Sequence, residues 1–232
     1  MTMPPTSLPT TDWDFAEGEV LLIDKPLTWT SFDVVKKLKY QLKIKKIGHA
    51  GTLDPLATGL LILCTGKMTK QIEQYQAQEK EYTGTLVLGK TTPSVDLETP
   101  FDSEHSIDHL TERDWEAARQ SLVGEIQQIP PAHSAVQVNG QRAYKLARQG
   151  KEVAIKPRTV TVNTFEFTRV ELPEIDFRVV CTKGTYIRSL VRDVGEKLGV
   201  GAHLQRLCRT RIGEYTLADA YSLDDFLSLA QV

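Results

Sequence analysis

The sequence predicts an α+β fold: a mixed, largely antiparallel sheet with flanking helices. Strand-like runs outnumber helical ones, and they do not alternate strand–helix–strand as a doubly wound chain requires. The 232 residues, 41% hydrophobic and 25% charged, are enough to bury a core without a disulfide or metal staple.

The elements follow in order. Residues 1–17, rich in Pro, Thr and Ser, are expected to form a flexible N-terminal tail, leaving 18–232 as one folded domain. Gly18–Asp24 reads as a buried strand that Lys25-Pro26 ends, since Pro cannot continue a ladder. Thr30 or Ser31 caps a helix to about Leu42, with Asp33 in capping-box position. Gly48–Gly59 reads as a loop, and Leu60–Thr65 and Glu81–Leu88 as strands. Thr111 starts a helix whose Trp115, Ala118 and Leu122 share a face. Ser134–Val138 reads as a strand, followed by the turn pair Asn139-Gly140 and a short helix closed by Gly150. Thr159–Val170 and Asp176–Thr182 read as strands, Gly184-Thr185 as the opening of a helix to about Leu198, and Ala202–Tyr215 as strand again. Ser222 caps a last helix to Ala230.

Lys plus Arg total 28 and Asp plus Glu 30, a net charge of −2 that does not by itself point to nucleic acid. The charge is blocked, however. Lys36–Lys46 holds six lysines and no acid, and Lys183–Arg211 holds seven basic residues against two acids. Residues 92–128 carry nine acids and two arginines. The basic blocks are expected around the functional cleft and the acidic stretch away from it. Three scattered cysteines without a C-x-x-C pair, and no signal sequence or membrane-length apolar run, place the chain in the cytoplasm.

The segment Gly48-His-Ala-Gly-Thr-Leu-Asp-Pro-Leu-Ala-Thr-Gly59 sets one carboxylate, Asp54, in a tight loop between apolar neighbours. Such a carboxylate is a candidate nucleophile or general base, though an Asp before Pro is more often turn punctuation. Arg188, with Tyr186 two residues before it, could pair with a carboxylate while the ring stacks on a base; an exposed Arg and a core Tyr are the plainer alternative. Tyr82 could be a platform for a flipped base, or a core tyrosine. His49 could contact phosphate or ribose, act as an acid–base group, or, as a lone loop histidine more often is, be structural. The five histidines are scattered, and no Walker or dinucleotide glycine pattern occurs, so neither a metal nor a nucleotide cofactor is expected.

In this order the segments resemble the bacterial tRNA pseudouridine-55 synthases, the TruB family. The resemblance rests on Leu22-Ile-Asp-Lys-Pro26 with Thr30-Ser31, the Gly48–Gly59 loop, Lys80-Glu-Tyr82, Ile129-Pro-Pro131 with Ser134-Ala135, Gly140–Arg148, and Cys181–Arg188 continuing into Gly201–Leu207. It implies a pseudouridine synthase fold and the conversion of one T-loop uridine of tRNA, position 55, to pseudouridine without metal or organic cofactor. It also implies Asp54 as the catalytic aspartate, Tyr82 as the tyrosine stacking on the target base, and Arg188 as the arginine pairing with the aspartate. Tyr186, His49 and Leu207 fall on substrate-contacting positions. Attack at C6 of uracil and at C1′ of ribose both remain open. Lys43, Lys45, Lys46, Arg142 and Arg209 are the expected contacts to the RNA backbone. The expected partner is the T-arm of tRNA, with the protein acting as a monomer, without an obligate protein partner and away from membranes.

The chain departs from the family pattern at Thr28, where relatives often carry Gly, and at Pro93, where Asp is frequent. It also ends soon after Tyr215, so the small RNA-binding PUA domain of many relatives is expected to be lacking. The alternatives are a non-catalytic tRNA-binding or folding module of the same fold, and a pseudouridine synthase acting on another RNA.

Overall fold

The computed structural model describes residues 13–138, 140–151 and 153–230. In chain order the elements are β1 (Val20–Lys25), α1 (Ser31–Gln41), β2 (Ile47–His49), β3 (Ala57–Thr65), α2 (Ile72–Ala77), β4 (Lys80–Leu88), β5 (Lys90–Thr91) and β6 (Ser103–Glu104). There follow α3 (Glu112–Gln120), β7 (Gly124–Gln128), β8 (Gln137–Val138), β9 (Gln141–Arg142), α4 (Ala143–Ala147), β10 (Arg158–Glu171) and β11 (Glu174–Cys181). The chain closes with α5 (Ile187–Leu198), β12 (Ala202–Ile212), β13 (Tyr215–Thr216), β14 (Tyr221–Ser222) and α6 (Leu223–Ala230). These residues form two compact units, one comprising the chain up to Ala77 and from Thr210 onward, the other Gln78–Arg209.

In the first unit β1 runs antiparallel to β3, from Val20 opposite Cys64 to Lys25 opposite Gly59. β2 pairs with the last third of β3, and β14 lies parallel to β1. β3 is an unbroken apolar run because both of its faces are covered. On one face Leu61 and Leu63 pack with Leu21 and Ile23 against Val34, Val35 and Leu38 of α1 and Phe226 of α6. On the other, Leu60, Ile62 and Cys64 meet Ala50, Tyr75 and Ile212. Thr30 caps α1 through the expected box: its hydroxyl accepts the Asp33 amide at 3.0 Å, and the Asp33 carboxylate accepts the Thr30 amide at 2.9 Å.

The stretch expected as a flexible tail falls outside the described residues as far as position 12. Trp13 and Phe15, by contrast, pack on the first core, Trp13 edge-on to Phe226 at 5.4 Å, and Glu17 pairs with Lys67.

The second unit orders its strands β12-β4-β11-β10-β7, with antiparallel pairing from β4 through β11 and β10 to β7. Helices α3 and α5 pack on one another, and α5 buries Ile187, Leu190, Val191 and Val194. Gly195 lets α5 approach the chain closely: a Cβ there would lie 2.3 Å from Ala202 N.

Several expected elements shift. The strand expected over Ser134–Val138 contracts to β8, which pairs with β9 across the predicted turn, where Asn139 lies outside the described residues. Helix α5 begins at Ile187 with Tyr186 as its cap, because Gly184 takes φ +85 and ends a turn before the helix. The Gly48–Gly59 loop is shorter than expected, since β2 reaches His49 and β3 starts at Ala57. The strand expected from Ala202 to Tyr215 breaks at Gly213, where the chain reverses into β13. The buried thiols of Cys64 and Cys181 are pushed up to about 11 by desolvation.

Candidate functional site

The candidate residues divide between the units: His49, Asp54 and Lys43, Lys45 and Lys46 lie in the first; Tyr82, Arg142, Tyr186, Arg188, Leu207 and Arg209 in the second. Each half has its own supporting geometry.

Asp54 sits half-buried in a six-residue span between Ala50 and Pro55 whose backbone is fixed at three places. Ala50 N donates to Ile62 O at 2.8 Å, which ties the loop to β3. Leu53 N donates to the buried Ser31 hydroxyl at 2.9 Å, so the first residue of α1 holds the residue before Asp54. Pro55 O accepts Thr28 N at 2.8 Å and faces the ammonium of Lys25 at 3.4 Å. Lys25 is fully buried at the end of β1 and also donates to Pro26 O and Trp29 O, at 2.9 and 2.6 Å. This buried ammonium ties the turn after β1 to the Asp54 loop through their carbonyls, and no motif in the sequence singles it out. Thr28 takes φ +69, the left-handed conformation that a glycine adopts without strain and a β-branched residue resists. That explains why a glycine suits this position.

His49, half-buried on β2, lies opposite Leu63. Lys43, Lys45 and Lys46 occupy the connection from α1 to β2, immediately before Gly48, and all three are exposed. Among the described residues none of the six lysines from Lys36 to Lys46 has a carboxylate at ion-pair distance.

In the second unit Tyr82 is buried on β4, opposite Val179. Tyr186 is gripped by the buried Gln128 side chain, whose Oε1 accepts the Tyr186 amide at 2.7 Å and whose Nε2 donates to its carbonyl at 3.1 Å. The Arg158 guanidinium lies over the Tyr186 ring, 4.5 Å from its centre. Arg188 is only 3% exposed. It donates to Ser94 O at 3.0 Å and His133 O at 2.9 Å, and lies 3.5 Å from the Asp96 carboxylate. Asp96 is held in turn, its Oδ1 accepting the Glu98 amide at 3.0 Å. The plainer expectation for Arg188, an exposed arginine at a helix start, is therefore overturned.

Two further expectations change. The acidic 92–128 stretch was expected away from the functional cleft, yet its Asp96 pairs with Arg188, one of the candidate site residues. In the second basic block Arg192 lies 2.7 Å from Asp193 and Arg206 3.8 Å from Asp176. Arg209, expected at the RNA backbone, is 1% exposed, which puts its guanidinium inside the protein and not at a surface phosphate. Arg142 is exposed on β9, with a hydrogen bond to Ala135 O at 3.2 Å. Leu207 is half-buried on β12. Among the described residues no three His, Cys, Asp or Glu side chains gather as a metal would require, and no helix is long and apolar enough to cross a membrane.

The mixed, largely antiparallel fold sets the class, and comparison gives the family. The family model "TruB family pseudouridylate synthase (N terminal domain)" matches residues 39–187, and "tRNA pseudouridylate synthase B C-terminal domain" matches 188–232. The chain belongs to the TruB family of pseudouridylate synthases. It is 55% identical to a tRNA pseudouridine synthase B of Parabacteroides distasonis, over 92% of this chain and 95% of that one. A Flavobacterium johnsoniae protein of the same name is 52% identical, over 92% and 96%. Among solved structures, a chain of a Cbf5-Nop10-Gar1 complex matches with a TM-score of 0.72 and 30% identity. That match covers 98% of this chain, which spans 60% of the Cbf5 complex chain's length.

Proposed function

We propose that this protein converts uridine to pseudouridine in tRNA, at the T-loop uridine numbered 55, with Asp54 as nucleophile. The observation that carries the reading is the Asp54 loop, clamped at Ala50, Leu53 and Pro55, in a chain 55% identical to a protein named tRNA pseudouridine synthase B. A carboxylate that must meet one carbon of one nucleotide gains from a backbone fixed before the substrate arrives.

The chemistry is an isomerisation. The N1–C1′ bond breaks, a C5–C1′ bond forms, the proton on C5 leaves and N1 gains one, so no electrons are exchanged with an outside reagent. Asp54 attacks one of two electron-poor carbons, C6 of uracil or C1′ of ribose. The target lies inside a folded loop and must be extruded; Tyr82 is the stacking platform, and Tyr186, His49 and Leu207 hold the flipped nucleotide. Arg188 keeps the nucleophile ionised. The free lysines before Gly48 take the phosphates of the T-arm. The enzyme works as a monomer in the cytoplasm, without an obligate protein partner.

Incubation with an unmodified tRNA transcript, followed by mapping of pseudouridine, tests the reading. One modified T-loop uridine is expected, and Asp54→Asn is expected to abolish it while leaving tRNA affinity within about tenfold, roughly 1.4 kcal/mol. Binding without modification would make the protein a tRNA-folding module, and modification only of other RNAs would move the substrate.

A further inference from the structure

The exposed side of α1 carries a groove of about 580 Å³, lined by Thr28, Trp29, Asp33, Lys36, Lys37 and Tyr40. Helical spacing puts residues 33, 36, 37 and 40 on one face, opposite the buried Val34, Val35 and Leu38. Tyr40 is 82% exposed, which leaves its ring open to a stacking partner. Asp33 is the acid of this lining, and its Oδ2 is already committed to the Thr30 amide and hydroxyl, at 2.9 and 2.5 Å. Lys36 and Lys37 have no carboxylate at ion-pair distance among the described residues. At its upstream end the groove reaches Thr28, whose amide donates to the carbonyl of Pro55, the residue after Asp54. The groove therefore begins at the loop that carries Asp54.

We infer that this groove is a second RNA-binding site, which takes an unpaired nucleotide flanking the target uridine. Its base stacks on Tyr40, and its phosphates lie against Lys36 and Lys37. An aromatic face beside unpaired cations is the combination that single-stranded nucleic acid selects, and it binds any base because every base has a π-face. An acidic peptide would meet the same cations but has no ring to place on Tyr40. The inference rests on the tRNA reading above, and the nucleotide is one the Asp54 loop does not itself hold.

The test measures Kd for the unmodified tRNA transcript over a salt series, and the single-turnover rate at saturating RNA. The proteins are the wild type, Tyr40→Ala, Tyr40→Phe and the Lys36→Ala/Lys37→Ala pair, with thermal melts showing that each is folded. Tyr40→Ala is expected to weaken binding about tenfold, and Tyr40→Phe by less than about twofold. The lysine pair is expected to flatten the salt slope by about 1.5. The single-turnover rate is expected to stay at the wild-type value, because the groove lies outside the reacting atoms. Wild-type Kd and slope in the variants, while the wild type modifies the transcript, overturn the groove. Loss of binding only to a poly-glutamate peptide overturns it in favour of a protein partner. A wild type that neither binds nor modifies the transcript overturns the tRNA reading itself, and the proposed occupant with it.

Discussion

Arg188 and Asp96 form an ion pair at 3.5 Å with both side chains buried, 92 positions apart in sequence. The nitrogen that faces Asp96, Nη1, also donates to Ser94 O, and Nη2 donates to His133 O, so carbonyls and a carboxylate share the buried guanidinium. Asp96→Asn removes a carboxylate from beside a buried cation. It is expected to cost about 3 kcal/mol of stability, read from the urea midpoint. Displacement of the arginine is expected to slow single-turnover pseudouridine formation by about 100-fold, with a smaller change in tRNA affinity.

The lysines before Gly48 are exposed and unmatched, whereas Arg192 and Arg206 have acids of their own. Replacing Lys43, Lys45 and Lys46 with Ala is therefore expected to weaken tRNA binding and flatten its salt dependence by about 2 in slope. Replacing Arg192 and Arg206 is expected to leave the slope near the wild-type value. An unchanged slope in the lysine variant would mean that this block faces away from RNA.

Thr28 is exposed and strained at φ +69. Thr28→Gly removes the clash of a branched side chain with its own backbone and is expected to raise stability by about 1 kcal/mol, the greater freedom of the unfolded chain offsetting part of the gain. A denaturant titration showing a fall instead would mean that the threonine side chain contributes contacts of its own.

Lys80, at the start of β4, is held down to about 8, mainly by burial and further by the charge of Arg209. Its unfolded value is near 10.5. Between the two the unfolded chain holds a proton that the folded chain has shed, so stability rises with pH from about 8 to 10.5, by roughly 3 kcal/mol at most. Lys80→Met is expected to be more stable than the wild type at pH 7 and to lose that rise. Parallel curves for the two proteins would refute the assignment.

Gly195 admits no side chain, because a Cβ would meet Ala202 N and the carbonyl carbon of Gly201, both at 2.3 Å. Gly195→Ala is expected to shift α5 and cost about 3 kcal/mol, with Arg188 moved along with it. Wild-type melting and turnover in this variant would show that the helix yields without loss.

Local devices were legible in the sequence. The Thr30–Asp33 box and the Leu60–Cys64 run depend on neighbours within a few residues, and each appears where spacing puts it. Asp96 was not legible, since an acid in an acid-rich stretch reads as solvated surface until the fold brings Arg188 to it. Lys25 was passed over for a similar reason: it donates to the carbonyls of Pro26, Trp29 and Pro55, which no residue type announces. Arg209 was set on the wrong side because a charge run along a strand does not reveal which alternate residue points inward; Arg206 is exposed and Arg209 is buried. Sequence order located the Asp54 loop, but not the serine, lysine and threonine that clamp it.

Cys64 belongs to one compact unit and Cys181 to the other, and both thiols, pushed up to about 11, stay protonated and inert in the folded chain. The protein thus carries native labels that react only when their surroundings open. A short pulse of alkylating reagent along a urea titration, read peptide by peptide in a mass spectrometer, would follow the opening of each unit by its own cysteine, with half-buried Cys208 resolved on a separate fragment. Coincident curves would describe a single cooperative unfolding; separated ones would give each unit its own free energy, with no mutation or dye introduced.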